Sequence, residues 1–247
     1  MDINTSFLSK KNNICEMTDL TALAIPKGIK VHVIAPHSDD FDINAVTLKH
    51  FEQNGAVIKL EVLSLDNGVE PDFEPQTPQS HIRKREQLES LAFFGFDMKM
   101  VNFVDTVCDH TGQSGYHEEN IRILEDMVRG YDPDIIITPH PNDTNSAHKN
   151  VAGMLYSISV SKNIIIMHNL DPKTVSFRPD MYMPFDRNQA LWKAEMLRFH
   201  RSQHSRNLNT RGYGFDQRLL ELSRHAALEY KLDCDYAELF EMRELKS

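Results

Sequence analysis

From about residue 30 the chain alternates short, nearly continuous apolar runs with longer stretches in which apolar residues recur at helical spacing. KVHVIAP (30–36), VIKLEVLSL (57–65), KMVNFV (99–104), DIIITP (134–139) and NIIIMH (163–168) read as strands. They lack a regular polar alternate position, which predicts burial on both faces, as a parallel sheet requires. Between them the spacing predicts helices over about 42–53, 80–94, 117–130 and 146–160, with Gly55, Gly95 and Gly130 where C-terminal caps belong. Beyond residue 170 follow a predicted edge strand, DMYMPF (180–185), helices over 188–203 and 216–232, and a closing strand, YAELFEM (236–242). This βαβ rhythm predicts an α/β fold: a doubly wound, mostly parallel, Rossmann-like sheet with flanking helices. No Pro/Ser-rich linker interrupts it, so one domain is expected over residues 30–247, preceded by an N-terminal extension of residues 1–29.

Composition narrows the function classes. With 247 residues, 40% of them hydrophobic, the chain can bury one continuous core. A net charge of -9, with basic residues scattered, disfavours nucleic acid as a partner. Cys15, Cys108 and Cys234 are odd in number and far apart, which suggests neither a disulfide framework nor a thiolate metal site and fits the cytoplasm. The first residues carry no apolar leader core, and no stretch approaches the ~20 apolar residues of a membrane span. No GxGxxG or GxxxxGK[ST] loop supports a nucleotide cofactor.

Candidate chemistry lies at the strand ends. In open parallel sheets, loops beyond the carboxyl ends of the strands aim side chains into one crevice. APHSDD (35–40) ends the first predicted strand, and HPNDTNSAHKNV (140–151) follows the fourth. His37, Asp40 and His148 would give a two-histidine, one-carboxylate set suited to zinc, with one position left for water. Iron(II) accepts the same donors. Asp39, beside a ligand without being one, could then face the water as general base. The competing reading is that Asp39 and Asp40 cap the helix near Asp42 while His148 lies on the surface. His140 and His168, also at strand ends, are weaker candidates for the crevice.

PHSDD resembles the PHPDDE or AHPDDE signature of the LmbE-like (PIG-L) family of zinc-dependent N-acetylglucosaminyl deacetylases. Arg83, Glu86 and Gly95 in RKREQLESLAFFG are similar to the family's Arg-x-x-Glu helix that ends at a glycine. NSAH (145–148) falls where the family has His-Pro-Asp-His. KAEMLRFHRSQ (193–203) looks like its Lys-x-x-Ala-Leu-x-x-His-x-Ser-Gln, and YAELF (236–240) like its closing Ala-Glu-x-Phe strand. The resemblance spans about residues 30–243 and implies His37, Asp40 and His148 as zinc ligands and Asp39 as the base. It further implies that an N-acetyl group leaves a small-molecule amino sugar as acetate, with Asp39 passing a proton to the departing amine. Arg83 is similar to the family arginine that holds substrate hydroxyl or phosphate groups, and Asp105 to its sugar-hydroxyl acceptor, a place for which Asp109 competes. His200 belongs to the helix signature and is expected to support the site from behind, with Ser202 and Gln203 as polar anchors. A homo-oligomer is left open.

Two departures bear on activity. Phe41 stands where a glutamate usually follows the double aspartate, and Asn145 where the family has the first histidine of His-Pro-Asp-His. Asn145 can donate to an oxyanion but cannot carry charge, and Asp143 could replace the aspartate lost at Ala147. Two rival functions therefore stand beside deacetylation: a sugar-conjugate binding protein with a degenerate site, and an amidase for a different amide.

Overall fold

The computed structural model describes residues 17–65, 68–110 and 112–247. Among these, eight strands form one mixed sheet: β1 (Thr18–Asp19), β2 (Lys30–Ala35), β3 (Val57–Val62), β4 (Val101–Phe103), β5 (Ile135–Pro139), β6 (Ile164–Asn169), β7 (Met181–Phe185) and β8 (Tyr236–Leu245). The helices are α1 (Ala45–Gln53), α2 (Gln79–Phe94), α3 (Glu118–Tyr131), α4 (Ser146–Leu155), α5 (Arg187–Arg198), α6 (Arg201–Arg211) and α7 (Phe215–Glu229).

The sheet order is β1-β7-β8-β6-β5-β2-β3-β4, parallel except where β8 runs antiparallel to both β6 and β7. From β2 the chain winds outward through β3 to β4, then returns to the other side of β2 to lay down β5 and β6. The winding therefore reverses between β2 and β5, where loops leave a crevice above the sheet.

Successive side chains of the central strands go to opposite faces, as a strand's two-residue period demands. Val33, Ile137 and Met167 join one core with Leu48 and Phe51 of α1 and Phe94 of α2. Ile34, Ile136 and Ile166 join the other with Leu124 of α3 and Met154 of α4. Both faces are covered, which accounts for the unbroken apolar runs.

Several boundaries differ from the sequence expectation. DMYMPF is not the edge strand, because Thr18–Asp19, in the segment before residue 30, pairs with it outside. The helix expected over 188–203 is two helices, since the chain turns at Phe199 and His200. Gly95 takes the left-handed cap conformation (φ 83°), but Gly130 lies inside α3, whose cap is Asp132 at φ 54°. The helix expected to reach residue 160 ends at Leu155, and the one expected from 42 begins with a 3-10 turn, Asp42–Asn44, ahead of α1. Cys15 lies outside the described residues.

Candidate metal centre

β2 delivers the loop that carries His37, Asp39 and Asp40 to the crevice, and the loop after β5 leads into the first turn of α4, which carries His148. These are the two strands flanking the winding reversal. The His37 backbone N–H donates to Asp40 Oδ2 at 2.7 Å, which folds the loop so that both side chains face the same point. His37 Nδ1 lies 3.2 Å from His148 Nε2 and 3.3 Å from Asp40 Oδ2, and His148 Nε2 lies 3.4 Å from Asp40 Oδ1. Donors around a tetrahedral ion with bonds of ~2.0–2.1 Å stand ~3.3–3.4 Å apart, so the three side chains fit such an ion with little adjustment. All three are buried.

His148 Nδ1 faces Asp143 Oδ2 at 3.0 Å. A carboxylate behind an imidazole fixes the tautomer that leaves Nε2 for a metal. Burial alone would lower the His148 pKa, but Asp40 and Asp143 outweigh it and raise it to about 10. The carboxylates that favour a proton on this buried imidazole, Asp40 and Asp143, would favour a metal ion in the proton's place. Burial pushes the Asp40 carboxyl up, yet His148 holds it well below the usual carboxylate range.

Asp39 lines the same cavity without joining the three-ligand cluster and is more open, with 16% of its side chain exposed against 4% for Asp40. Its Oδ1 accepts from Arg83 Nη2 at 2.5 Å, a link between the loop and α2. Burial raises the Asp39 pKa, but Arg83 overrides it and brings the group to about 2. Glu86, one turn further along α2, accepts from the backbone N–H and the hydroxyl of Ser202, which ties α2 to α6.

The cavity over these residues has a volume of about 320 Å³ and is also lined by Arg83, Asn145, Asp171 and Gln203. Asn145 is the N-cap of α4: its Oδ1 accepts from the Ala147 N–H at 2.9 Å. The cap uses the amide oxygen and leaves the NH2 group. Asp171, missed by the sequence reading, stands just beyond the end of β6, and burial raises its pKa. The strand-end rule that selected APHSDD could have found it in NLDPK (169–173).

The other candidates lie elsewhere. Asp105 is exposed outside the cavity, because it follows the edge strand β4, and Asp109 instead accepts from the Gln113 N–H at 3.2 Å. His140 pairs with Glu241 at 3.2 Å, and His168 lies between the Tyr156 hydroxyl and the Pro139 carbonyl. Phe41 packs edge-on against Phe94 and Phe96, so the side chain at that position belongs to the core. Asp42 is buried with the Ser90 hydroxyl and with His200 Nε2 at 2.6 Å, which places His200 behind the site. Neither Cys108 nor Cys234 lines the cavity.

Fold and site together define an α/β protein with a two-histidine, one-carboxylate centre at the carboxyl ends of its parallel strands. Residues 32–159 match the PIG-L family, described as GlcNAc-PI de-N-acetylase, and the chain belongs to that family. No curated protein matches the sequence. Among solved structures, an N,N'-diacetylchitobiose deacetylase from Pyrococcus horikoshii superposes with a TM-score of 0.72 at 15% identity, covering 98% of this chain and 93% of its own. GalB, the 4-carboxy-2-hydroxymuconate hydratase of Pseudomonas putida KT2440, gives a TM-score of 0.64 at 14% identity, covering 87% and 95%. The A40926 pseudoaglycone deacetylase Dbv21 gives 0.61 at 17% identity, covering 88% and 98%. At such identities the likeness establishes the fold they share.

Proposed function

We propose that this protein is a metal-dependent N-deacetylase that hydrolyses the acetamide of a GlcNAc-type amino sugar or its conjugate, releasing acetate. The observation that carries this reading is the convergence of His37 Nδ1, His148 Nε2 and the Asp40 carboxylate at tetrahedral-edge spacing, with a second carboxylate, Asp39, beside them. His37, Asp40 and His148 would hold the ion, and zinc suits two imidazoles and a carboxylate. Bound there, zinc supplies Lewis acidity: it lowers the pKa of a water toward ~7 and polarises the acetamide carbonyl.

The remaining steps fall to the protein's own side chains. The Asp39 carboxylate takes a proton from the attacking water and gives it to the amine nitrogen as the C–N bond breaks, so acetate and a free amino sugar leave. Arg83 holds Asp39 ionised and in place, which makes it a positioning residue for the base. The Asn145 NH2 group donates to the oxygen of the carbonyl under attack while its own oxygen caps α4. Asp105, expected to accept a sugar hydroxyl, is exposed beyond β4 and does not line the cavity over the metal centre. Residues 30–247 carry every group of this reading, while Thr18–Asp19 of the preceding segment adds a strand to the same sheet, and a cytoplasmic setting accords with the odd, scattered cysteines.

Family membership and two deacetylases among the fold neighbours support the reaction class. The hydratase on the same fold makes the decisive measurement chemical. Metal content and acetate release are to be measured on a panel of N-acetylated sugars. One divalent ion per chain and metal-dependent acetate release are expected, with metal lost in the His37→Ala, His148→Ala double variant. Stoichiometric metal in that variant would overturn the ligand set. No acetate from any sugar by metal-loaded protein would overturn the reaction, leaving the binding protein or another amide.

A further inference from the structure

Most arginines of this acidic chain face a carboxylate within ion-pair distance, among them Arg85, Arg129, Arg201 and Arg243. Among the described residues no carboxylate lies within ion-pair distance of Arg206, Arg211 or Arg218, and all three line the cavity over the metal centre, together with Lys173. The carboxylates lining the same space do not balance them. Asp39 is engaged by Arg83 and Asp40 by the two histidines, which leaves Asp171 against four cations.

The cations come from two helices and a loop. Arg206 and Arg211 belong to α6, Arg218 to α7, and Lys173 to the segment after β6. The wall that carries Arg206 is built closely: Gly68 sits at φ +79°, its carbonyl accepts from Gln203 Nε2 at 2.8 Å, and a Cβ added there would stand 3.2 Å from Arg206 Nη1. Burial, and next the neighbouring Arg211, disfavour the charge on Arg218, and Asp171 and Asp39 offset only part of this. An anion between Arg211 and Arg218 would offset the rest, and a planar guanidinium suits the paired oxygens of a phosphate.

We propose, building on the deacetylase reading, that the rim formed by Lys173, Arg206, Arg211 and Arg218 is a phosphate subsite, and that the preferred substrate is an N-acetyl amino sugar carrying a phosphate or diphosphate away from its acetamide. Several cations against one remaining carboxylate match a multiply charged phosphate better than a single carboxylate. These residues lie outside the stretch, 32–159, that matches the family. Arg83 cannot serve the same end while it holds Asp39.

The test compares kcat/KM for N-acetylglucosamine, its 1-phosphate, a nucleoside-diphosphate N-acetylglucosamine and a carboxylate-bearing N-acetyl amino sugar. The phosphorylated arms should be preferred, and whichever is better identifies a sugar phosphate or a nucleotide sugar as the source of the anion. Arg206→Gln, Arg211→Gln and Arg218→Gln, in or near solvent, should each lower the phosphorylated-to-neutral ratio by about tenfold or more, as loss of a charge-assisted hydrogen bond implies. Arg187→Gln, an exposed arginine of α5 outside the cavity, should leave the ratio unchanged. Preference for the neutral or the carboxylated sugar, or a ratio indifferent to the three arginines, would overturn the subsite.

Direct titration of N-acetylglucosamine 1-phosphate and of inorganic phosphate into the full-length protein separates this proposal from the reaction. Binding that weakens in the arginine variants and with added salt supports the subsite even if no acetate is released. Absence of binding to the parent protein would overturn it even if a neutral sugar is deacetylated.

Discussion

Arg83 Nη2 lies 2.5 Å from Asp39 Oδ1, which joins a helix residue and a loop residue 44 positions apart into one ion pair at the edge of the cavity. The sequence resemblance gives these residues separate tasks, one on the substrate and one on water. Their contact makes them a unit.

Arg83→Ala should accordingly do more than weaken substrate binding. It leaves a largely buried carboxylate without its cation, a change that typically costs about 3–5 kcal/mol. Reduced stability in urea and a lower kcat are expected, with metal content near that of the parent. Arg83→Lys should restore part of kcat. A variant in which only KM changes would return Arg83 to a purely substrate-holding role.

Asp39→Asn keeps the shape of the side chain but cannot accept a proton. Bound metal should remain stoichiometric while turnover falls to near background. Turnover at the parent rate would place the base elsewhere.

Asn145 combines two tasks that different substitutions separate. Asn145→Asp keeps an N-cap oxygen but loses the NH2 donors, so stability should hold while kcat falls. Asn145→Ala should lose about 1 kcal/mol of stability with the cap and also about 10²–10³ in kcat with the donor. If both variants turn over like the parent, Asn145 serves only the turn into α4.

His168 predicts the acid side of the stability curve. Burial holds its imidazole neutral and lowers its pKa to about 4. Above pH ~6.5 neither folded nor unfolded chain protonates this group, so its contribution to stability is fully present. As pH falls from ~6.5 toward 4 the unfolded chain takes up the proton first and stability drops, by on the order of 3 kcal/mol in all. Urea unfolding at a series of pH values should show a shallower decline over this window for His168→Gln. Identical slopes would mean that His168 is not held neutral.

Lys193 Nζ and Glu238 Oε1, 2.7 Å apart and both buried, join the last two sequence signatures. Glu238 also accepts the Val46 and Thr47 N–H groups at the start of α1, the helix that follows the metal-site loop. Lys193→Met should therefore destabilise the protein by about 3–5 kcal/mol, and adding Glu238→Gln should recover part of the loss. If the double change recovers nothing, the pair is not the source of the effect.

The sequence by itself determined the architecture and the metal-site candidates. Burial on both faces forces the central strands into unbroken apolar runs, and the polar groups that interrupt DIIITP-HPND or KVHVIA-PHSDD stand out because a strand end is where such groups can be hydrated or used. Only the tertiary structure decided the rest. That β2 and β5 are neighbours, and so bring His37 within 3.2 Å of His148, depends on strand order, which periodicity does not encode. The break at Phe199 and His200 arises where His200 is held by buried Asp42, a contact 158 residues apart that outweighs the local helical pattern. The arginines of α6 and α7 read in the sequence as ordinary surface charge. Their meaning comes from packing, which sets Arg206, Arg211 and Arg218 around one cavity with no carboxylate of the described residues within ion-pair distance of them. Local sequence fixes which residues favour strand, helix or cap, whereas the pairing of distant charges depends on long-range packing.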